Sequence, residues 1–148
     1  MKVQVIIKEL TAEDLVDLFS TALYGSNIFG ADYGNADAQG VCFEDKLADT
    51  LLKGGHIYIH DLLADGDNFG NLPYEVNDDD TVSYTVTLED MLRGLDAAAN
   101  GTWTKSKTDA EGVSKCFHTY MNRDVDYDWD YTRASVLLQI IVFGELIY

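Results

Sequence analysis

A run of alternating aspartates leads directly into a long apolar run at the end of this sequence. Every second residue in the segment 124–130 is an aspartate, and residues 134–148 are almost all apolar. A helix that is apolar on every side has to be buried in the core of a fold. Carboxylates, in contrast, are not buried without compensating cations. The pattern therefore predicts a central C-terminal helix that holds an acidic segment at the surface.

The charge of the chain is strongly unbalanced. Its 148 residues include 26 acids and 10 bases, which gives a formal net charge of −16. The length fits one domain over residues 1–148, and the hydrophobic fraction of 47% is ordinary for a globular protein. The negative charge disfavours direct contact with nucleic acid or anionic membranes. It favours cationic partners, such as metal ions or basic proteins that themselves bind nucleic acid.

Hydrophobic periodicity predicts an α+β fold. Alternating residues predict strands over residues 1–9, 56–60 and 82–87, and the last two are expected to form a hairpin with a long acidic connection. Two helices are expected to begin with capping boxes, at Thr11 and at Thr87. Residues 25–40 are rich in Gly, Asn and Asp and are predicted to form a loop. We expect a small antiparallel sheet of about three strands packed against about five helices, with the apolar C-terminal helix at the centre.

Targeting and cysteine signals indicate a cytoplasmic protein. Cys42 and Cys116 lie far apart without CxxC spacing, which favours free buried thiols over a disulfide. The chain starts with an alternating strand pattern rather than a signal peptide. No apolar run reaches the roughly 20 residues that a bilayer requires, so we expect no membrane contact.

Two acidic segments are the candidates for partner binding. Residues 54–103 contain ten acids and a single base, Arg93, whereas ordinary surfaces intersperse charges of both signs. The second segment is the alternating one, which also carries aromatic residues. The candidate residues are Asp65, Asp67, Asp78, Asp79, Asp80, Asp124, Asp126, Asp128, Tyr127 and Trp129. The structural alternatives are a solvated hairpin tip for the first segment and a helix N-cap for the end of the second.

Catalytic and metal-binding motifs do not account for these residues. An EF-hand counted from Asp124 fails, because its sixth and twelfth positions hold Trp129 and Ser135 instead of Gly and Glu. A zinc site from His56, His60 and His118, or from the first two with Asp61, is conceivable. His56 and His60 share one strand face, however, and at about 13 Å they are too far apart to share one ion directly, so ordinary, partly exposed histidines are expected. The sequence contains no Ser-His-Asp order, phosphate loop or nucleophile elbow. We expect no enzyme and no cofactor; a metal-binding domain or small hydrolase is the lesser alternative.

Three stretches of the chain resemble a known group of proteins. They are the segments 22–27 (ALYGSN), 84–95 (YTVTLEDMLRGL) and 128–148. Together they are similar to small, uncharacterised acidic proteins of bacteriophages and conjugative elements in gut Firmicutes. The resemblance covers most of the chain and supplies no catalytic residues. It implies a protein of a mobile element, and such small acidic proteins often disarm host defence, some by mimicking DNA.

The leading hypothesis is an inhibitor of the anti-CRISPR or anti-restriction type, whose carboxylates replace phosphates in the basic channel of a host defence nuclease. A compact chain of this length is about 38 Å across, and a duplex of that length carries about 22 charges, half of them on one side. The net charge is sufficient only where acids gather on one or two faces. The alternative is a structural or scaffolding protein of a mobile element whose acidity serves only solubility. Charge placement distinguishes the two.

Overall fold

The computed structural model of the chain describes residues 11–24, 28–33, 43–121 and 131–148. Its helices are α1 (Ala12–Tyr24), α2 (Phe43–Leu52), α3 (Leu88–Asn100), α4 (Lys107–Met121) and α5 (Tyr131–Phe143). Its strands are β1 (Phe29–Asp32), β2 (His56–Asp61), β3 (Tyr74–Val76) and β4 (Val82–Thr87). The predicted α+β class is confirmed, although the sheet has four strands rather than about three. The predicted strand at residues 1–9 lies outside the described residues, as do Cys42 and the side chain of Cys116.

The sheet is antiparallel, with strand order β1-β2-β4-β3. The predicted pairing of β2 with β4 is confirmed, and its register runs from His56 opposite Thr87 to Asp61 opposite Val82. The acidic connection between these strands is not only a loop, because it contains the short strand β3. This strand pairs with the free side of β4, so β3 forms one edge of the sheet.

The prediction of a loop over residues 25–40 was wrong for part of that segment. Residues Phe29–Asp32 form β1, which pairs with β2 from Phe29 opposite Asp61 to Asp32 opposite Tyr58. Phe29 is the only large apolar residue of this strand that is buried, so the strand shows little alternation of apolar and polar residues. Its conformation is stabilised by the ladder of hydrogen bonds with β2, which local composition does not reveal.

The helix α5 lies in the core, as the apolar run predicts. Nearly all of its described side chains are buried, and it packs against both α1 and α3. The helix ends earlier than expected, at Phe143, because Gly144 adopts a left-handed φ of 76°. Residues 145–148 therefore form an irregular tail. None of the described helices has the length and apolar character needed to cross a membrane.

Both predicted capping boxes are present. At α1 the Asp14 N–H donates to Thr11 Oγ1 (3.2 Å), and the Thr11 N–H donates to Asp14 Oδ2 (3.1 Å). At α3 the Asp90 N–H donates to Thr87 Oγ1 (3.3 Å), and the Thr87 N–H donates to Asp90 Oδ2 (2.9 Å). These caps fix where the helices begin, and the second one joins β4 directly to α3.

Candidate partner-binding surface at one end of the sheet

Two acidic turns meet beside the β3–β4 hairpin. The N–H of Gly66 donates a hydrogen bond of 2.8 Å to the backbone carbonyl of Asp80. Because Asp65 and Asp67 flank Gly66, this contact brings both aspartates to the hairpin tip that carries Asp78, Asp79 and Asp80. We call these five residues the acidic corner. All five are exposed to solvent.

The hairpin tip is a closed turn rather than a loose loop. The Asn77 N–H donates to the Thr81 carbonyl (2.8 Å), and the Asp80 N–H donates to the Asn77 carbonyl (3.0 Å). Asp80 adopts a φ of 68°, a left-handed conformation that Asp tolerates better than most residues. Asp79 Oδ1 accepts hydrogen bonds from the Thr81 hydroxyl (2.6 Å) and N–H (3.1 Å). These bonds lower the pKa of Asp79 below its ordinary value, which favours the charged form.

The acidic corner lacks compensating cations among the described residues. None of its five carboxylates forms an ion pair with a lysine or arginine in the described part of the chain. Ion pairs occur instead on the helices, where Lys53 contacts Asp49 (2.9 Å) and Arg93 contacts Asp90 (3.1 Å). The segregation of charge along the sequence is therefore also a segregation in space for this group.

A chain of polar contacts joins the corner to the polar face of the sheet. His60 lies opposite Ser83 in the β2–β4 register, and its Nδ1 is 2.6 Å from Ser83 Oγ. Asn77 Nδ2 donates to Ser83 Oγ (2.8 Å) and to Thr81 Oγ1 (3.0 Å). Burial lowers the pKa of His60, while the carboxylates of Asp32 and Asp79 oppose that shift. The signal for this network is the alternation of polar residues in both strands, whose register the sequence alone does not fix.

The Ser83 hydroxyl also connects the hairpin tip to β2. Because Asn77 donates to Ser83 Oγ, the Ser83 hydroxyl hydrogen is free to point at Nδ1 of His60. The same Asn77 amide contacts the Thr81 hydroxyl. These contacts join the tip, through Ser83, to His60 on β2, and the hydrolase alternative from the sequence stays a prediction.

One ligand of the zinc alternative, the side chain of His118, lies outside the described residues, so that version of the site stays a prediction. The other ligands named from the sequence make different contacts. Asp61 points to the buried side of the sheet, where its Oδ1 accepts the N–H groups of Leu63 (3.0 Å) and Ala64 (3.1 Å). His56 Nε2 instead lies 3.1 Å from the hydroxyl of Tyr58. Within the residues that the structure describes, no group of three His, Cys, Asp or Glu side chains is placed to hold a metal ion.

Large apolar side chains are exposed on the same segments of the chain that carry the acidic corner, and no sequence pattern predicted their exposure. Each has at least 40% of its surface exposed, and they come from the loop after β2 and from β3: Leu62, Leu63, Phe69, Tyr74 and Val76. We call these five residues the apolar rim. Exposed apolar groups next to exposed charges are typical of protein-binding surfaces.

The second acidic segment of the predicted site lies outside the described residues. It comprises Asp124, Asp126, Asp128, Tyr127 and Trp129, whose role stays a prediction. Comparison with known proteins finds no matching family model, no matching curated protein and no matching solved structure.

Proposed function

We propose that this chain is a non-enzymatic inhibitor that binds the basic nucleic-acid channel of a host defence nuclease and excludes the nucleic acid. The observation that carries the proposal is the acidic corner. Its five carboxylates are exposed, lie on two turns that meet, and form no ion pair with a described lysine or arginine. A channel lined with Lys and Arg is the surface that such a group complements. The proposed setting is the bacterial cytoplasm, and the proposed origin is a phage or other mobile element.

The density of charge at the hairpin tip supports mimicry of a nucleic-acid strand. Asp78, Asp79 and Asp80 are consecutive residues at the tip, and the Gly66–Asp80 hydrogen bond brings Asp65 and Asp67 beside them. Duplex DNA likewise concentrates negative charge, with one charge per about 1.7 Å of helix axis. Five carboxylates gathered in one place are the kind of concentrated negative charge that a basic channel binds.

The rigidity of the tip supports the same function. Asp79 is held by Thr81, and the turn is fixed to Gly66 on one side and to the sheet by Asn77 on the other. A turn that is ordered before binding loses less conformational entropy when it docks. Long-range attraction between the corner and a basic channel also accelerates association, and this effect decreases as salt rises.

The second candidate is a structural or scaffolding protein of a mobile element, and one observation favours it. Exposed acids are not confined to the corner, because the helices also carry them, for example Asp45, Glu89, Asp96 and Glu111. A surface that is acidic on several sides is typical of a protein whose charge maintains solubility. The two candidates make different predictions for partner binding. An inhibitor depends on the carboxylates of the corner more than on an equal number of carboxylates elsewhere, and a scaffolding protein does not.

A charge-matched pair of variants separates these functions. The corner variant changes Asp65, Asp67, Asp78 and Asp80 to Asn and keeps Asp79, which closes the turn. The control changes Asp45 and Asp96 to Asn and Glu89 and Glu111 to Gln. Displacement of a labelled duplex is measured with a CRISPR effector nuclease and with a restriction nuclease, at low and high salt. We expect the corner variant to lose about tenfold or more in potency, and the control to lose much less.

Two results contradict the proposal. Equal losses in both variants would mean that only total charge matters, which favours the scaffolding role. Failure of the wild-type chain to displace the duplex from either enzyme at low salt would remove the inhibitor role for these nuclease classes.

A further inference from the structure

Among the described residues, the strand β3 has an unpaired backbone edge beside the acidic corner. It is the last strand in the order β1-β2-β4-β3, and no described strand other than β4 pairs with it. The Thr85 N–H donates to the Pro73 carbonyl (2.8 Å), and the Asn77 N–H donates to the Thr81 carbonyl (2.8 Å). In an antiparallel ladder the hydrogen-bonded positions alternate. The backbone groups of Tyr74 and Val76 therefore point away from β4, toward the free edge.

The side chains at this edge are apolar and exposed. Tyr74 and Val76 lie opposite the buried residues Tyr84 and Val82, so they extend the apolar side of the sheet beyond β4. The rings of Tyr74 and Tyr84 are 6.4 Å apart, yet Tyr74 is 53% exposed and Val76 is 44% exposed. An added strand would cover these side chains and pair the free backbone groups in one step.

The charge around the edge selects the kind of strand that can dock. Natural edge strands are commonly protected by charged side chains. Here the protecting charges are all negative, namely Glu75 on β3 and the acidic corner at its end. A second copy of this chain would bring two such groups together, and its net charge of −16 makes that contact unfavourable. A cationic strand is attracted by the same charges.

We propose that β3 accepts an extended basic segment of the partner protein by strand addition. Alternate apolar residues of that segment cover Tyr74 and Val76, while its Lys or Arg residues face Glu75 and the acidic corner. The inference rests on the proposed function, because it specifies how a basic partner is bound at the same surface. It adds backbone pairing to an interaction that is otherwise only electrostatic.

A substitution on β3 tests the backbone contribution directly. Val76→Pro removes the N–H that points to the free edge, and proline is tolerated at edge positions where that N–H faces solvent. Val76→Thr keeps the N–H and the β-branched shape and serves as the matched control. Circular dichroism and thermal melting of both variants verify that the sheet is retained.

The probe is a labelled nine-residue peptide that alternates Lys and Val, and binding is followed by fluorescence anisotropy. A second peptide alternates Lys and Pro, which preserves the charge but cannot form a β-ladder. We expect the Lys-Val peptide to bind the wild-type chain about tenfold more tightly than the Lys-Pro peptide does. Val76→Pro should abolish that preference, and Val76→Thr should retain it.

The outcomes distinguish this inference from the proposed function. Equal binding of both peptides to the wild-type chain, weakened by salt and by the corner variant, overturns strand addition and leaves the acidic surface intact. A Lys-Val preference that persists in Val76→Pro also overturns strand addition. Loss of the preference in Val76→Pro alone supports it. Absence of binding by either peptide at low salt overturns strand addition, and the nuclease displacement assay then tests the inhibitor role separately.

Discussion

The hydroxyl of Tyr148 donates a hydrogen bond of 2.7 Å to Oδ2 of Asp61, a carboxylate that is completely buried. The ring of Tyr148 also packs edge-on against Phe69 and Phe143, with centroids 6.3 Å and 6.0 Å away. Asp61 ends β2, and the loop that begins there leads to the acidic corner. The irregular tail after α5 is thereby attached to the base of the candidate site.

Tyr148→Phe is expected to destabilise the fold. The substitution keeps the ring contacts but leaves a buried carboxylate oxygen without its donor, and such a loss costs about 1–3 kcal/mol. Unfolding in urea measures the change in free energy. Tyr74→Phe is the control, since the Tyr74 hydroxyl makes no hydrogen bond with a described residue and should change stability by less than about 0.5 kcal/mol. Equal stability of the two variants would show that the Tyr148–Asp61 bond does not hold the tail.

Gln139→Leu is expected to destabilise the fold by removing a different contact of the same tail. The buried Oε1 of Gln139 accepts the N–H groups of Ile147 (3.0 Å) and Tyr148 (2.9 Å). Its removal leaves both donors without that partner and costs about 1–3 kcal/mol. Because both contacts hold the same tail, loss of one weakens the other, and the double variant with Tyr148→Phe should be less destabilised than the sum, by about 0.5 kcal/mol or more. Strict additivity in a double-mutant cycle would show that the two contacts act independently.

The raised pKa of Tyr148 predicts that the fold loses stability in alkaline solution. Burial is the main cause that raises its pKa, and the hydrogen bond to Asp61 adds to it. Since the folded-state pKa is above the unfolded value of 10.0, the neutral form stabilises the fold fully below that pH. The stabilisation decreases as the pH rises above 10.0 toward the folded-state pKa. Burial raises the pKa of Tyr84 as well, so part of the decrease should remain in Tyr148→Phe.

Urea unfolding at a series of pH values between about 8 and 11.5 measures this effect. The wild-type free energy of unfolding should decline more steeply than that of Tyr148→Phe over the upper part of this range. Parallel curves for the two proteins would contradict the assignment of the effect to Tyr148.

Local patterns in the sequence predict the elements whose stabilising contacts are local. The capping boxes of α1 and α3 depend on residues three positions apart, and both are present. The end of α5 depends on a longer contact. The apolar residues Leu146 and Ile147 continue the helical composition, but Gly144 turns the chain and Gln139 accepts the N–H groups beyond it. The hydrophobic periodicity of the sequence does not reveal that the side chain of Gln139, within the helix, binds the backbone of the tail.

The candidate site was predictable in composition but not in arrangement. The excess of acids between residues 54 and 103 identified the aspartates of the corner. The meeting of the two turns depends on one backbone hydrogen bond, from Gly66 to Asp80, between residues that no sequence pattern pairs. The strand β3 has only three residues, Tyr74–Val76, too few for an alternation to be recognised. Its position at the edge of the described sheet follows only from the strand order.

Two glycine-to-alanine substitutions should change stability in opposite directions. A Cβ added at Gly94 in α3 would lie 2.5 Å from both Cα and Cγ1 of Ile141 in α5. The backbone of α5 would have to shift, and overpacking of this kind costs about 1–3 kcal/mol. Gly112 lies in α4, where an added Cβ would meet no atom of a described residue within 4 Å. Gly112→Ala should therefore stabilise the fold by about 0.5–1 kcal/mol, the ordinary gain in helix propensity.

The comparison of these variants tests the central position of α5. Both introduce the same methyl group into a helix, so their difference in urea-unfolding free energy reports the space available at each position. Gly94→Ala should lack the stabilisation expected from helix propensity if the backbones of α3 and α5 are in contact, because the added methyl group then clashes with Ile141. A Gly94→Ala protein as stable as Gly112→Ala would mean that the two helices are separated in solution. In that case the apolar run at the end of the chain would not form the packed centre on which the sheet and its acidic corner rest.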